Sequence, residues 1–493
     1  MAERFEIKSN YQSSNQVAYF EDVANGITYQ PDVYSFAKYC VERGGISRVI
    51  DVGAGNGIKL QEFAAHAEVV AIDTGTNLER IRMCGVISRI FDVDLEFGLP
   101  DEVLNLCDNA MVICSDVIEH LMNPIPLLKS LNAMNQRAAF VLISTPDRVR
   151  IRGIGDFGPP PDQAHKREWS IDEFDSLLRR IGFADYFIGY TINADITLWK
   201  STIMVIGGTW ATRPRVQPAK CLALIAVHND ADILAMVIRD LERQGVDSWI
   251  IDDWSQDGSY ELAQQLKSST AAVIAVERFG SSPSVDYDWA GILRRKEEIA
   301  EHARAYDWVI HHDSDELREA PWQNVNMAEA LARVGELGFN AVDHTVIDFR
   351  PIRDGFSNIH DPAHFFSFYE FGLRPGHFLQ IKAWRRSVVP KVQLVASGGH
   401  TAIFGGLRVF PLKFLLKHYP LRSIVQSHTK LNDRAQRVER EKRQRGWHGQ
   451  YDKFIAEKKS SFLWQTHLLM PYNPKQFPAE FLIERLSGIG ILR

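Results

Sequence analysis

The feature that most constrains this chain is a recurrent pattern. A short apolar run ends in acidic residues, an amphipathic stretch follows, and another apolar run begins. Arg48-Val49-Ile50-Asp51-Val52 leads into Gly53-Ala54-Gly55-Asn56-Gly57, and Tyr306-Asp307-Trp308-Val309-Ile310 leads into His311-His312-Asp313-Ser314-Asp315-Glu316. Apolar runs of this length, alternating with helical stretches, are buried strands of parallel sheets joined by crossover helices. Ligands bind at the carboxyl ends of such strands, so both clusters fall where chemistry is expected. A chain of 493 residues is too long for one ordinary core. The stretch Gly207–Pro218 is rich in Gly, Pro and Thr and reads as a linker. The expectation is therefore an α/β protein of two domains, 1–213 and 214–493, with different folds and no internal repeat.

Composition supplies exclusions. The chain is 45% hydrophobic and 24% charged, as globular proteins are, and its formal net charge of −6 argues against a nucleic-acid coat protein or a stable nucleic-acid partner. No apolar stretch reaches the ~18 residues that span a bilayer, and the start of the chain carries no signal-peptide apolar region. The five cysteines are scattered without a Cys-x-x-Cys pair, which reads as reduced thiols in the cytoplasm. From Arg408 to Arg445 eleven Lys/Arg face three Asp/Glu. That run reads as a solvated helix face, or as a peripheral contact with anionic headgroups at the inner face of the membrane.

In the first half, Gly53, Gly55 and Gly57 let the backbone turn tightly and approach a ligand. The next run, Glu68-Val69-Val70-Ala71-Ile72, ends in Asp73, where a carboxylate can accept from ribose hydroxyls. A third run leads to Asp92 and a fourth to Ser115-Asp116. The spacing Asp-x-Gly-x-Gly-x-Gly differs from the Gly-x-Gly-x-x-Gly of dinucleotide sites. It resembles motif I of the class I S-adenosylmethionine-dependent methyltransferases, over roughly residues 30–210. The resemblance implies a Rossmann-like domain with S-adenosylmethionine as cofactor, held by Asp51, Gly53, Ala54, Gly55, Asn56, Gly57 and Ser115. Within that set Gly53, Gly55 and Asn56 line the methionine part. Asp73 takes the ribose, and Asp92 or its neighbour faces the adenine.

Asp116-Val117-Ile118-Glu119-His120 reads as the opening of a helix, with Asp116, Glu119 and His120 on one face. With Ala164-His165-Lys166-Arg167-Glu168-Trp169 it resembles the Glu-x-x-Glu-His and His-x-x-Glu-Trp elements of small-RNA 2′-O-methyltransferases and ubiquinone-type O-methyltransferases. That resemblance implies a divalent cation held over an acceptor hydroxyl by Asp116, Glu119, His120 and His165. Asp116 stands where those families carry glutamate, which shortens one arm. The alternative is that His120 or His165 acts as a general base without metal.

In the second half Asn229, Asp252-Asp253-Trp254-Ser255-Gln256-Asp257-Gly258 and Asp313-Ser314-Asp315-Glu316 follow one another at strand ends. If the chain stays extended, Asp313 and Asp315 share a face. Two oxygen ligands with open positions suit Mg²⁺ or Mn²⁺ on a diphosphate. The order resembles the GT-A glycosyltransferases of family 2 over roughly residues 219–455, through Gly398-Gly399-His400, His418-Tyr419-Pro420 and Arg445-Gly446-Trp447-His448. The resemblance implies a nucleotide-diphosphate sugar donor with Asn229, Asp253 and Asp257 at the nucleoside. It also implies a metal on Asp313, Asp315 and His400, with His418 as second choice. Arg294-Arg295-Lys296 and Arg422 then face the departing diphosphate. Asp343, Asp348 and Glu370 are open choices for the base, and Asp348 is the one assigned.

Together the two halves point to a bifunctional enzyme of glycan or surface-polysaccharide biosynthesis. It transfers a sugar and O-methylates a hydroxyl on a glycan or lipid-linked glycan acceptor. The alternatives are a glycosyltransferase with a non-catalytic methyltransferase-like module, and an RNA 2′-O-methyltransferase with an accessory domain.

Overall fold

Runs such as Val49-Ile50 and Met111-Val112-Ile113 are stripped of polar side chains, and both are fully buried. They can satisfy their backbone groups only in a ladder, and they do so in the interior of a sheet. The computed structural model describes residues 5–14, 30–191, 200–212, 217–322, 324–372, 379–386, 391–447 and 462–482. Residues 213–216 of the join and His448 lie outside the described residues. The chain divides into two compact units between Pro214 and Arg215, and the described residues from Pro478 onward group with the first.

The first unit contains α1 (Pro31–Gly44), β1 (Arg48–Val52), β2 (Glu68–Asp73), α2 (Asn77–Met83), β3 (Arg89–Asp92), α3 (Asp101–Leu104) and β4 (Met111–Ser115). It continues with α4 (Ile125–Asn135), β5 (Phe140–Pro146), α5 (Arg148–Arg152), α6 (Ile171–Ile181), β6 (Phe187–Thr191), β7 (Thr202–Gly207) and α7 (Thr209–Thr212). Its seven-stranded sheet runs β3-β2-β1-β4-β5-β7-β6. The first five strands are parallel, and β7 is antiparallel to both β5 and β6. The order reverses outward from β1 and β4, which opens a crevice at their carboxyl ends. One core cluster packs Ile50 and Val112 of one sheet face against Trp169 and Phe174.

The second unit contains β8 (Cys221–Val227), α8 (Leu234–Arg243), β9 (Val246–Asp252), α9 (Ser259–Ser269), β10 (Val273–Arg278), α10 (Trp289–His302), β11 (Trp308–Asp313), β12 (Glu316–Glu319), α11 (Met327–Glu336) and β13 (Ala341–Phe349). After these come α12 (Pro362–Phe365), β14 (Phe368–Glu370), β15 (Leu379–Arg385), β16 (Val409–His418), α13 (Ile424–Arg437), α14 (Glu439–Arg445) and β17 (Met470–Pro471). A last helix, α15 (Phe477–Phe481), follows in sequence, and its residues from Pro478 on group with the first unit. The sheet runs β10-β9-β8-β11-β15-β13-β14-β17, and β16 pairs with β12 and β13. Strands β8 to β11 are parallel and β15 is antiparallel to β11. The sheet is thus mixed, where the sequence pattern alone suggested parallel strands throughout.

Two local expectations are corrected. Asp116 to His120 do not open a helix. Asp116 has φ 54, residues 118–120 form a turn, and α4 begins only at Ile125. Pro124 at the N-cap and Pro126 in the first turn mark that start, where a proline's missing N–H costs the helix nothing. Nor do Asp313 and Asp315 share a strand face. β11 ends at Asp313, and Ser314-Asp315 turn into β12, with the Asp313 N–H donating to Glu316 Oε2 at 3.2 Å.

Candidate functional site

Strand β1 carries Asp51 into the core, where the Tyr34 hydroxyl of α1 donates to its Oδ2 at 3.0 Å. The chain then turns through Gly53 (φ 80), Gly55 (φ 57) and Gly57 (φ 74), all in the left-handed region that L side chains resist. A Cβ at Gly53 would also lie 2.4 Å from Val117 Cγ2. The N–H groups of Gly53 and Ala54 donate to Ile72 O at 2.8 and 3.1 Å, and Asn56 Oδ1 accepts from Ile58 N–H at 3.0 Å. Asp73, at the end of β2, accepts from the N–H groups of Gly55 and Thr74, each at 2.7 Å. It therefore ties the glycine turn to β2. Asp92 accepts from Thr74 Oγ1 at 3.0 Å, and the Ser115 and Ser144 hydroxyls are 2.8 Å apart. The residues expected around a cofactor thus stand at the carboxyl ends of β1 to β4.

Beside them lies a buried polar cluster. One ligand atom from each of Glu119, His120 and His165 falls within 4.8 Å of the others, and this is the one such group of three or more among the described residues. A distant segment supplies His165. Lys166 N–H donates to Glu119 O at 2.7 Å, and the Arg167 guanidinium donates to Leu121 O and Met122 O at 2.7 and 2.8 Å. These bonds fasten residues 165–167 to the turn after β4, and the two imidazoles meet edge to face at 4.9 Å. His120 Nδ1 donates to Ala164 O at 3.2 Å, and His165 Nδ1 donates to Glu168 Oε1 at 2.8 Å. Each Nδ1 proton is thereby fixed, so in the neutral rings Nε2 is the unprotonated nitrogen.

Burial, then the neighbouring Asp116, raises the Glu119 carboxyl well above its ordinary value. Burial also raises Asp116, whose Oδ2 accepts from Gln30 Nε2 at 2.7 Å. Asp116 Oδ1 and Glu119 Oε1 receive no hydrogen bond from a third group, and the two carboxyls lie close enough to share a proton. Burial, helped by His165, pulls His120 down to about 4. Burial opposes charge on His165 too, but Glu168 outweighs it and the pKa rises. Gln30, Tyr34 and Thr145 support this site without any motif to mark them, whereas Glu168 is the glutamate of the His-x-x-Glu-Trp element. A carboxylate three residues after His165 was the one signal in the sequence.

Residues 28–186 match a family model described as a methyltransferase domain. The first unit is thus similar to a methyltransferase domain over that stretch. The chain is also similar to three solved structures. The first is a SAM dependent methyltransferase from Archaeoglobus fulgidus, 18% identical, covering 36% of this chain and 91% of that one, with a TM-score of 0.26. The second is the N-terminal domain of EvdMO1 with SAH bound, at 19%, 42%, 93% and 0.29 in the same order. The third is the methyltransferase domain of bacterial CtHen1-CN, at 17%, 36%, 97% and 0.28. No curated protein matches the chain. No helix among the described residues is long and apolar enough to cross a membrane.

In the second unit, Asn229 and Asp257 stitch loops together. Asn229 Oδ1 accepts from Gln256 N–H at 2.7 Å, and Asp257 accepts from the N–H groups of Ala231 and Ser259, both at 3.0 Å. Asp253 pairs with Arg437 at 2.9 Å. Asp313 pairs with Lys382 at 2.9 Å, whereas Asp315 pairs with Lys430 at 2.8 Å and lies 3.5 Å from His418 Nε2. His400 Nδ1 instead accepts from Gln380 Nε2 at 3.1 Å. Asp313, Asp315 and His400 form no common ligand group, so these residues do not fit a cation bridging the two aspartates.

The remaining expected positions are also paired. Asp348 accepts from His418 Nδ1 at 2.7 Å and from Arg350 at 2.9 Å. Burial opposes charge on His418, but Asp315 and Asp348 outweigh it and push the pKa up to about 10. Asp343 pairs with Lys413, and Glu370 with Arg350. Arg294 pairs with Asp288, Arg295 with Glu277, and Lys296 is buried against His312 O at 2.8 Å. Successive residues on a helix point in different directions, so that run forms no joint anion site. The basic run from Arg408 is not one solvated face either. Lys413, Lys417, Arg422, Lys430 and Arg437 each pair with a carboxylate, because much of the run lies on the buried strand β16 and on α13.

Proposed function

We propose that the first unit transfers the methyl group of S-adenosylmethionine to a hydroxyl, with Glu119, His120 and His165 holding a divalent cation and Asp116 beside them. The observation that carries this reading is the convergence of one carboxylate and two imidazoles next to the glycine turn. Their second shell supports it. Metal-binding histidines commonly donate the other ring N–H to a carbonyl or carboxylate, as His120 does to Ala164 and His165 to Glu168. The buried Glu119 Oε1 receives nothing but what the neighbouring Asp116 carboxyl can share with it, and a cation would replace that proton. Two imidazole nitrogens favour Mn²⁺ or another transition ion over Mg²⁺. Such a cation lowers the pKa of a bound hydroxyl. The hydroxyl oxygen then attacks the methyl carbon, the C–S bond breaks toward sulfur, and the hydroxyl proton leaves to water.

The second unit is read as a nucleotide-sugar transferase, so the acceptor of both reactions is a glycan or a lipid-linked glycan. Four parallel strands followed by an antiparallel one, with Asp253 and Asp315 at strand ends, support this. The test uses the full chain with labelled S-adenosylmethionine and two acceptor panels, saccharides and single-stranded RNA. Label in a saccharide, lost in Glu119→Gln, is the expected result. Label in RNA alone would overturn the glycan reading. Label in neither panel, with no binding of S-adenosylhomocysteine, would make the first unit non-catalytic.

A further inference from the structure

The acidic residues of the second unit differ from Asp116 and Glu119 in how their charge is met. Asp313 and Glu316 share Lys382, whose side chain is 3% exposed, and Glu316 also takes Arg318 at 2.7 Å. The fully buried Arg422 reaches both Asp230 and Asp232 at 2.7 Å. Asp315 takes Lys430, His418 and, at 3.7 Å, Arg422. Asp253 takes Arg437 at 2.9 Å and lies 3.6 Å from His228 Nδ1. Each of these carboxylates already faces a cation fixed by the fold. A divalent ion at Asp313 would have to expel a buried ammonium from its own counter-ions, and breaking a buried pair is unfavourable.

Lys430 and Arg437 stand apart from the other cations. They are seven residues along α13, two helical turns, and so share one face. They reach the ends of β11 and β9, the strands on either side of β8 in the sheet. If Lys430 lets go, Asp315 is not stranded, since it keeps His418 and Arg422, while Asp253 stays beside His228, whose Nδ1 donates to the Asp253 carbonyl at 2.7 Å.

We propose that the second unit holds the diphosphate of its nucleotide donor directly on Lys430 and Arg437, without a bridging divalent cation. The proposal rests on the reading of this unit as a nucleotide-sugar transferase. The two carboxylates act as placeholders, accepting the N–H donors that phosphate oxygens accept when the donor arrives. Charge-assisted bonds of this kind suit phosphate, and the guanidinium adds a bidentate option.

The test is calorimetric titration of UDP, GDP and dTDP into the full chain carrying Glu119→Gln, which removes the cation of the first unit. Each titration is run in excess EDTA and again with Mn²⁺. The expected result is that one nucleotide binds in EDTA, with affinity changed less than about twofold by Mn²⁺. Lys430→Ala then weakens it about tenfold or more, and Lys430→Arg restores most of the loss. Binding that appears only with Mn²⁺ would overturn the inference and leave the donor-site reading standing. So would binding in EDTA that Lys430→Ala and Arg437→Ala leave unchanged. If none of the three binds under either condition, the donor-site reading fails and the inference fails with it.

Discussion

The Thr145 hydroxyl donates to Glu119 Oε2 at 3.1 Å, which satisfies one oxygen of a fully buried carboxylate and leaves Oε1 to the neighbouring Asp116 carboxyl. Thr145 lies near the end of β5 and Glu119 in the turn after β4, so this bond aims the carboxylate. Thr145→Val keeps the shape and removes the donor. The expected result is a loss of about tenfold in Mn²⁺ affinity, the usual scale for an outer-shell partner. Unchanged affinity in a calorimetric titration would show that Thr145 does not orient Glu119.

Cation binding in the first unit should tighten as pH rises. Glu119 and Asp116 are raised by burial, and His165 is raised by Glu168, so all three hold protons more strongly than usual. A cation must displace those protons. His120, down at about 4, is already neutral and adds no pH dependence near neutrality. Mn²⁺ affinity measured between about pH 5.5 and 7.5 should therefore climb. A flat or falling profile would mean that these groups are not the ligands.

Gly53→Ala should damage the cofactor turn. The new Cβ meets Val117 Cγ2 at 2.4 Å in a residue with φ 80. Strain and overpacking together predict a loss of about 1–3 kcal/mol in the stability of the first unit. S-adenosylhomocysteine binding should fall with it. Circular-dichroism melting and a titration check both, and wild-type values in the two measurements would refute the account.

Arg422→Met should destabilise the second unit strongly. The fully buried guanidinium spans Asp230 and Asp232, and its removal takes a counter-ion from the buried Asp230 carboxylate. Breaking a buried pair by removing one partner costs about 3–5 kcal/mol. Replacing Asp230 and Asp232 by Asn in the same chain should recover part of the loss. Denaturant unfolding of the single and triple variants measures it, and additive losses would exclude the charge explanation.

Much of the first site was legible in the chain itself. The glycine turn, Asp51, Asp73 and Asp92 follow from backbone rules that act within a few residues. Only glycine adopts the turn without strain, and a strand end fixes where the next side chain emerges. The pairing of Glu119 and His120 with His165 was also foreshadowed, although by a turn and not by the expected helix. Pro124 and Pro126 mark the start of the helix that does form, since proline suits a helix's first positions.

What the tertiary structure alone decided is which charges meet. Lys382 and Lys430 lie 69 and 115 residues from the aspartates they pair with. No local periodicity encodes such a contact, because a lysine destined for a buried carboxylate has the same neighbours in sequence as one bound for solvent. The Asp-Ser-Asp spacing therefore suggested one shared cation, while the fold gave each carboxylate its own ammonium. Local sterics set the backbone, and long-range burial set the electrostatics.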